Sequence, residues 1–297
     1  MSAFDDLMAH ARETQALAQV AGRLGWDQET MMPRAAAPQR AEEMAALEGV
    51  LHARRTDPRV AEWLAVAEAP DAAGAAQLRL IRRQHDRATK VPARLAAELA
   101  RVTSRAQGIW AEARAAEDPG AFLPVLSEVV ALRREEGAAL AQGGDVYDAL
   151  LQDYEPGTTA AELETMFAAL RPRLAELRAA ALDRPAPPAL SGRFDAAAQH
   201  ALAEELAQAF GYDLSRGRID TAVHPFSSGS GLDVRITTRT DPADPFNCLY
   251  STIHETGHAA YEQNIDAAYL LTPVGEGASM GVHESQSRLY ENQLGRS

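Results

Sequence analysis

The chain contains 297 residues, enough to bury a sizeable core in one large or two ordinary domains. Its formal net charge of −13 argues against nucleic acid as a partner, because a phosphate backbone would repel it. The single cysteine cannot form an internal disulfide, and neither a secretory signal nor a bilayer-spanning run of ~20 apolar residues is visible, so we expect a cytoplasmic protein with no membrane partner.

Helical periodicity dominates the first half of the chain, where alanine, leucine, glutamate and arginine prevail. A first helix is expected over 3–24, and Pro33 and Pro38 mark a break after it. Gly143 and Gly144 end the last helix of this group. The further helices are predicted over 38–53, 60–67, 75–89, 92–116 and 122–140.

Thr159 and Glu162 have the spacing of a capping box, which predicts a helix that reaches residue 182. Pro172 lies inside this helix and predicts a kink or a split there. The proline-rich segment 184–188 is typical of a linker. We therefore expect a helical N-terminal lobe over 1–184 and a second region over 185–297.

After one more helix, expected over 195–210, the pattern changes to that of short strands. Segments 218–223 and 232–238 contain β-branched residues in partial alternation. The segment 227–231 between them has the serines and glycines of a flexible, hairpin-like loop. The pattern predicts a mainly α, multi-helix fold with a small antiparallel β-sheet beside the helix that follows the strands.

The most informative segment is His254-Glu255-Thr256-Gly257-His258, which matches the pattern His-Glu-x-x-His. Two imidazoles four residues apart lie on the same side of a helix, so one metal ion can bind both. Glu255 would lie next to this ion, where it can accept a proton from water. Apolar and small flanking residues favour a buried helix. The alternative is a helix with two hydrogen-bonded histidines beside a surface glutamate.

A catalytic zinc site needs a third protein ligand and keeps one position open. Glu284 begins a segment with helical character, and an antiparallel second helix would place it beside both histidines, so we choose Glu284. Glu291, two turns later, is the next candidate, although a solvated carboxylate is its more ordinary interpretation. Glu262 lies one turn beyond His258, and a helix rarely returns such a ligand to its own metal.

Several motifs follow one another along the chain. They are Trp26 to Pro33, His224-Pro225-Phe226, Asp233-Val234-Arg235-Ile236-Thr237, His254 to His258, and His283-Glu284-Ser285-Gln286-Ser287-Arg288 with Asn292. In this order they resemble the motifs of the carboxypeptidase Taq family of metallocarboxypeptidases, peptidase family M32. The resemblance implies Zn²⁺ or another divalent ion held by His254, His258 and Glu284, with Glu255 as general base. It also implies removal of single C-terminal residues from peptides and a mostly helical fold, often as a homodimer.

Members of this family are longer chains, and two further motifs follow the segment that begins at His283 here. These motifs are I/V-R-x-x-A-D and G-x-x-Q-D-x-H-W, and neither occurs in the 297 residues. In the family they would supply an arginine for the substrate carboxylate and groups near the oxyanion. We therefore expect an N-terminal portion of such an enzyme, with 185–297 as its metal-binding catalytic region, incomplete at the C-terminal end, or a naturally shortened relative.

Five further side chains are candidates around the metal. His224 could contact the substrate or the transition-state oxyanion, and its match to the family motif favours this over a surface histidine. Asp233, Arg235 and Thr237 alternate along one strand and share a face, where they could orient ligands or bind substrate. Arg235 best suits a substrate carboxylate, because a guanidinium group binds a carboxylate through two hydrogen bonds. For Asp233, a structural ion pair is the alternative. His283, next to Glu284, points away on the helix and should either orient the ligands or have a structural role.

The expected function is that of a zinc-dependent metallocarboxypeptidase acting on peptides, with Co²⁺ or another divalent ion as an alternative to Zn²⁺. The preference for the C-terminal residue comes from the family resemblance alone, so an aminopeptidase or endopeptidase mode stays open. A second class is a truncated, catalytically weak or inactive helical protein that keeps the metal site and serves in metal binding or interaction.

Overall fold

The computed structural model describes residues 2–186, 188 and 190–297, and it confirms a mainly α fold. The predicted helices of the first half form, although their ends shift by several residues. No helix in the described residues is long and apolar enough to cross a membrane. The helices before the linker are α1 (Ala3–Thr30), α2 (Ala37–Arg55), α3 (Pro58–Val66), α4 (Ala72–Ala88), α5 (Ala93–Ala115), α6 (Pro119–Ala141), α7 (Val146–Leu151) and α8 (Ala160–Leu182).

Helix α1 is longer than the sequence pattern predicts. The pattern stops before Gly25, because a glycine costs about 1 kcal/mol in a helix interior. The helix continues because the next residue, Trp26, is buried at 5% exposure. It ends where Met31 and Met32 both donate to the Asp27 carbonyl, just before Pro33. The extra turns carry Trp26 to the sheet described below.

Helix α8 begins with the predicted capping box, in which Thr159 and Glu162 exchange hydrogen bonds. It runs without interruption through Pro172, so the predicted split does not occur. The carbonyl left unpaired by Pro172 lies in an exposed turn, where water can bond to it. None of the residues of α8 is buried. In the predicted linker 184–188, Pro187 lies outside the described residues, and the division at residue 184 stays a prediction.

Three strands follow helix α9 (Ala196–Ala209): β1 (Ile219–Thr221), β2 (Ser227–Ser230) and β3 (Asp233–Thr238). Their order in the sheet is β1-β3-β2. The pair β2–β3 is antiparallel, whereas β1 runs parallel to β3. The sheet is therefore mixed, and the prediction of a purely antiparallel sheet was wrong in this respect.

The segment predicted as a flexible loop is strand β2. Its sequence is only serine and glycine, so it shows no β-branched or apolar signal, and it pairs through its backbone alone. A tight turn at Gly231, whose φ is +62°, brings Ser230 opposite Asp233. With β2 occupying one edge of β3, strand β1 can pair only with the other edge, and it does so in the parallel sense.

The sheet and α9 pack on one side of helix α10 (Pro245–Gln263). Their shared core consists of Ala207, Tyr212, Ile219, Val234, Ile236 and Ala259. Helix α1 contacts the outer face of the sheet, where Arg23 pairs with Asp233 at 2.9 Å. Trp26 lies under the guanidinium groups of Arg218 and Arg235, at 5.1 and 4.5 Å from its ring centroid. These contacts fix α1 against the sheet that supports α10.

The hydroxyl of Tyr212 links strand β3 to the residue that precedes strand β1. It lies 2.6 Å from the Val234 carbonyl and 3.1 Å from that of Arg218, and the side chain is only 3% exposed. We expect Tyr212→Phe to lower the free energy of unfolding by about 1–2 kcal/mol, because a buried carbonyl loses its donor. Urea denaturation measures the free energy of unfolding. Tyr147→Phe is the matched control: this tyrosine is 62% exposed, so its substitution should change the free energy of unfolding by close to zero. Equal effects of the two substitutions would contradict the role of Tyr212.

Candidate metal centre

Helix α10 carries the two histidines of the motif. Asp244 caps its first turn by accepting from the Phe246 amide, and Pro245 occupies the position where a missing N–H costs least. His254 and His258 follow one turn apart on the same side, with ring centroids separated by 5.0 Å. Both are partly buried. The helix thus presents two imidazoles to the same small space.

The third predicted ligand comes from helix α11 (Met280–Arg288), which is capped by Ser279, whose hydroxyl accepts from the Val282 amide. Glu284 Oε2 lies 3.6 Å from His254 Nε2 and 3.3 Å from His258 Nε2. The ligand atoms of these three residues all lie within 4.8 Å of one another. The structure therefore brings together the three side chains that the sequence selected.

Gly257 makes this approach possible. A Cβ atom at Gly257 would lie 2.7 Å from both the Gln286 carbonyl oxygen and the Ser287 Cα atom. Any larger residue would push the backbone of α11 away from α10. The glycine between the two histidines thus sets how closely Glu284 can come to them.

The donor set fits a divalent cation. Ligands at about 2.0–2.2 Å from a tetrahedral zinc ion are separated from one another by about 3.4 Å. The observed separations of 3.3 and 3.6 Å between nitrogen and oxygen are close to this value. Two imidazoles and one carboxylate are also the ligands that zinc takes in hydrolytic sites, with one position left open.

The other nitrogen of each histidine is held by a neighbour. His254 Nδ1 lies 2.9 Å from Glu291 Oε2. Glu291, considered above as an alternative metal ligand, therefore contacts the opposite side of the ring and orients it. It lies in a π-helical turn, Leu289–Gly295, which follows α11 directly.

His258 Nδ1 lies 2.6 Å from His283 Nδ1, and His283 Nε2 lies 2.9 Å from Glu262 Oε1. His283 was predicted to support the ligands, and the structure places it against one of them. Glu262 was considered only as a metal ligand, and its contact through His283 was missed. Its position four residues after His258 was the available signal.

Glu255 is 5% exposed and has an unusual environment for a carboxylate. Burial, followed by the charges of Glu284 and Glu291, raises its pKa from 4.5 to about 8. Burial also lowers the pKa of His258 from 6.5 to about 4, with His283 and His254 adding to the effect. His258 is therefore neutral at pH 7 and has a lone pair for a cation. Glu284 and Glu291 are paired with Arg288 and Arg296, whereas buried Glu255 has no such partner in the described part of the chain, and a divalent ion beside it would favour its ionised form.

A cleft of about 770 Å³ opens beside Glu255 and His254. His224, one of the predicted substrate contacts, lines it. Four arginines line it as well, and of these only Arg288 was named from the sequence, as the last residue of the motif that begins at His283. The remaining lining residues are Arg114, Pro225, Arg239, Asp244, Phe246, Asn247, Tyr250, Ser251, Arg288, Glu291 and Arg296.

The other predicted substrate residues do not line the cleft. Arg235 forms a two-pronged ion pair with Asp233, at 2.7 and 3.0 Å, and stacks on Trp26. Thr237 is fully buried, and its hydroxyl bonds to the Phe226 backbone. The alternation correctly placed Asp233 and Arg235 near each other, but their face of the sheet meets α1. The alternative of a structural ion pair describes Asp233 and Arg235.

The family model described as "Carboxypeptidase Taq (M32) metallopeptidase" matches residues 6–297. Thermostable carboxypeptidase 1 of Thermus thermophilus is 43% identical over the whole chain, and carboxypeptidase 1 of Bacillus subtilis is 34% identical over 91% of it. The crystal structure of an M32 carboxypeptidase from Deinococcus radiodurans superimposes with a TM-score of 0.87 at 38% identity, covering 99% of this chain and 61% of that one. The chain spans 62% of the Thermus relative and 56% of the Bacillus relative.

Gly257 offers a test of the site geometry. We expect Gly257→Ala to weaken Zn²⁺ binding at least about tenfold, because α11 and Glu284 must move outward. Isothermal titration with Zn²⁺ measures the affinity. Gly49→Ala in α2 is the matched control, since a Cβ there meets nothing within 4 Å and helix propensity should make that variant slightly more stable. Unchanged Zn²⁺ affinity in Gly257→Ala would show that this contact does not control the site.

The raised pKa of Glu255 gives a pH-dependent prediction for the metal-free protein. The folded state holds a proton that the unfolded state releases, so stability falls as pH rises from about 4.5 to about 8. Glu255→Gln should therefore raise the free energy of unfolding at pH 9 by on the order of 2 kcal/mol, with a difference that shrinks towards pH 5. Denaturation with a chelator present measures this. Glu176→Gln on exposed α8 is the control, and a gain independent of pH would contradict the assignment.

Proposed function

Since the chain belongs to the carboxypeptidase Taq (M32) family of metallopeptidases, we propose that it carries the metal-binding catalytic region of a metallocarboxypeptidase. The family and the matched relatives are carboxypeptidases, which are peptide hydrolases. The observation that carries the proposal is the convergence of His254, His258 and Glu284 directly beside buried Glu255. The substrate is a peptide with a free C-terminal carboxylate.

His254, His258 and Glu284 would hold the cation, and zinc is the ion we propose because this donor set suits it; Co²⁺ is the alternative. A divalent ion there would polarise the scissile carbonyl and lower the pKa of a neighbouring water. Both imidazoles offer Nε2 towards Glu284, while their Nδ1 atoms are held by Glu291 and His283. The ligands are thus oriented by the chain itself.

Glu255 is proposed as the general base. Its carboxylate accepts the proton of the attacking water and then passes it to the leaving amine. Burial and the charges of Glu284 and Glu291 raise its pKa, so it holds a proton more readily than an ordinary carboxylate. A cation beside it would oppose this shift and return the group to a pKa nearer neutrality, where proton transfer in both directions is efficient.

The cleft supports the carboxypeptidase mode over the other peptidase modes. Arg239 bonds only to the Asn247 side chain at 3.1 Å and the Val223 carbonyl at 3.4 Å, and no carboxylate pairs with it among the described residues. Its guanidinium is thus available for the terminal carboxylate of a peptide. His224 lines the same cleft and is proposed to contact the substrate. Arg235 and Thr237 are not part of the proposed substrate site, since neither residue lines the cleft.

The remaining sequence predictions are part of the proposal. A boundary between residues 184 and 185 would separate a helical lobe from the catalytic region. The family resemblance favours a homodimer, and the single cysteine favours the cytoplasm. The chain covers less than two thirds of the length of its relatives, so its own turnover is part of the proposal and is tested by the experiment below.

Peptides with free and with amidated C-termini test the function. We expect the Zn²⁺-loaded protein to release single C-terminal residues from free peptides only. Glu255→Gln should keep Zn²⁺ binding and lose turnover by a factor on the order of a hundred or more, because it removes the proton acceptor. Glu176→Gln is the matched control. Product analysis by mass spectrometry identifies which bond is cleaved.

Equal cleavage of amidated peptides would refute the carboxypeptidase mode and favour an endopeptidase. Zn²⁺ uptake without hydrolysis of any peptide would favour the second class, a helical metal-binding protein. Absence of Zn²⁺ binding would refute the metal site itself.

A further inference from the structure

Two polar side chains, His283 and Glu262, form a continuous chain with His258. The ring of His258 contacts the ring of His283, Nδ1 to Nδ1, at 2.6 Å. The other nitrogen of His283, Nε2, lies 2.9 Å from Glu262 Oε1. Glu262 lies in the last turn of α10 and is 8% exposed, and its second oxygen has no hydrogen-bond partner among the described residues. A buried carboxylate thus directs its charge into the back of the metal site.

With Glu262 as a carboxylate and a single N–H on each ring, one arrangement of protons satisfies both hydrogen bonds. Each neutral imidazole carries a single N–H. A carboxylate oxygen only accepts, so His283 must carry its proton on Nε2 and donate it to Glu262. His283 Nδ1 then holds a lone pair and can accept only from His258 Nδ1–H. His258 consequently has its lone pair on Nε2, the atom that faces Glu284.

We propose that Glu262 is a positioning residue that acts through His283 to fix the proton of His258 on Nδ1 and present its Nε2 lone pair to the cation. This inference rests on the proposed metal site. The reverse arrangement, with the proton of His283 on Nδ1, would turn a lone pair towards the buried carboxylate and is unfavourable. His254 reaches the same state by a direct contact of its Nδ1 with Glu291.

The surroundings of His283 hold its ring in this orientation. Tyr261 meets the ring edge to face, with centroids 4.9 Å apart. A Cβ atom at Gly277 would lie 2.9 Å from His283 Cδ2 and 3.4 Å from the Tyr261 ring, so glycine leaves the ring just enough space. The ring therefore cannot easily flip, a motion that would put carbon atoms where its two nitrogens now lie. Glu262 thus determines which nitrogen of His283 carries the proton, and the packing of Tyr261 and Gly277 keeps that nitrogen directed at Glu262.

Nitrogen-15 NMR of the imidazoles measures the proton positions in the metal-free protein. We expect His283 as the Nε2–H form and His258 as the Nδ1–H form. Glu262→Gln should give a mixture of both forms at His283, because an amide can accept or donate. Zn²⁺ affinity should fall about tenfold in the same variant, the effect typical of a residue that orients a metal ligand.

A double-mutant cycle tests whether Glu262 acts through His283. Once His283→Phe has removed the intermediate ring, adding Glu262→Gln should cause no further loss of Zn²⁺ affinity. Glu176→Gln, which removes an exposed carboxylate of α8 by the same chemical change, is the matched control. That variant should bind Zn²⁺ as the wild type does.

The possible failures are separable. His283 as the Nδ1–H form in the wild type would overturn the relay without any variant. Equal loss of Zn²⁺ affinity from Glu262→Gln with and without His283 would show a structural role only. If the wild type binds no Zn²⁺, the proposed metal site fails, while the NMR result still decides the proton positions.

Discussion

The close contact of α10 with α11 at Gly257 is the constraint on which the candidate site depends. The two histidines are fixed by helical spacing within α10, but their carboxylate partner belongs to a different helix. Only a residue without a side chain lets the backbone at Ser287 come within van der Waals reach. The same contact brings His283 and Glu291 behind the two imidazoles, so a single glycine determines the positions of ligands and supporting groups together.

Charge is the second organising factor. Burial raises the pKa of Glu255, and the nearby charges of Glu284 and Glu291 add to this even though Arg288 and Arg296 pair with them. A metal-free protein bears this cost in stability, and a cation removes it. A buried carboxylate with a raised pKa beside His254 and His258 is therefore a physical indication of a cation site, independent of any resemblance.

Regular spacing made much of the structure predictable. The four-residue separation of His254 and His258 fixed their common direction, and helical periodicity located most helices. Strand β2 escaped notice because serine and glycine give no strand signal, and the order β1-β3-β2 follows from its pairing. The contacts of Arg235 with Asp233 and Trp26 were not predictable, because alternation identifies which residues share a face but not what that face contacts. Partnerships across long sequence distances, such as Trp26 with Arg235, leave no local pattern.

Helix α8 differs from the helices around the metal site, because none of its residues is buried. Its apolar residues, among them Phe167, Leu170, Leu174 and Leu177, are about half or more exposed. Helices owe most of their stability to packing of an apolar face, so α8 relies on its capping box and its own backbone bonds. Amide protons there should exchange with solvent long before those of α10, and a protease should cut this helix first. Cleavage there would fall between helices α1 to α7 and the segment that carries His254 and His258.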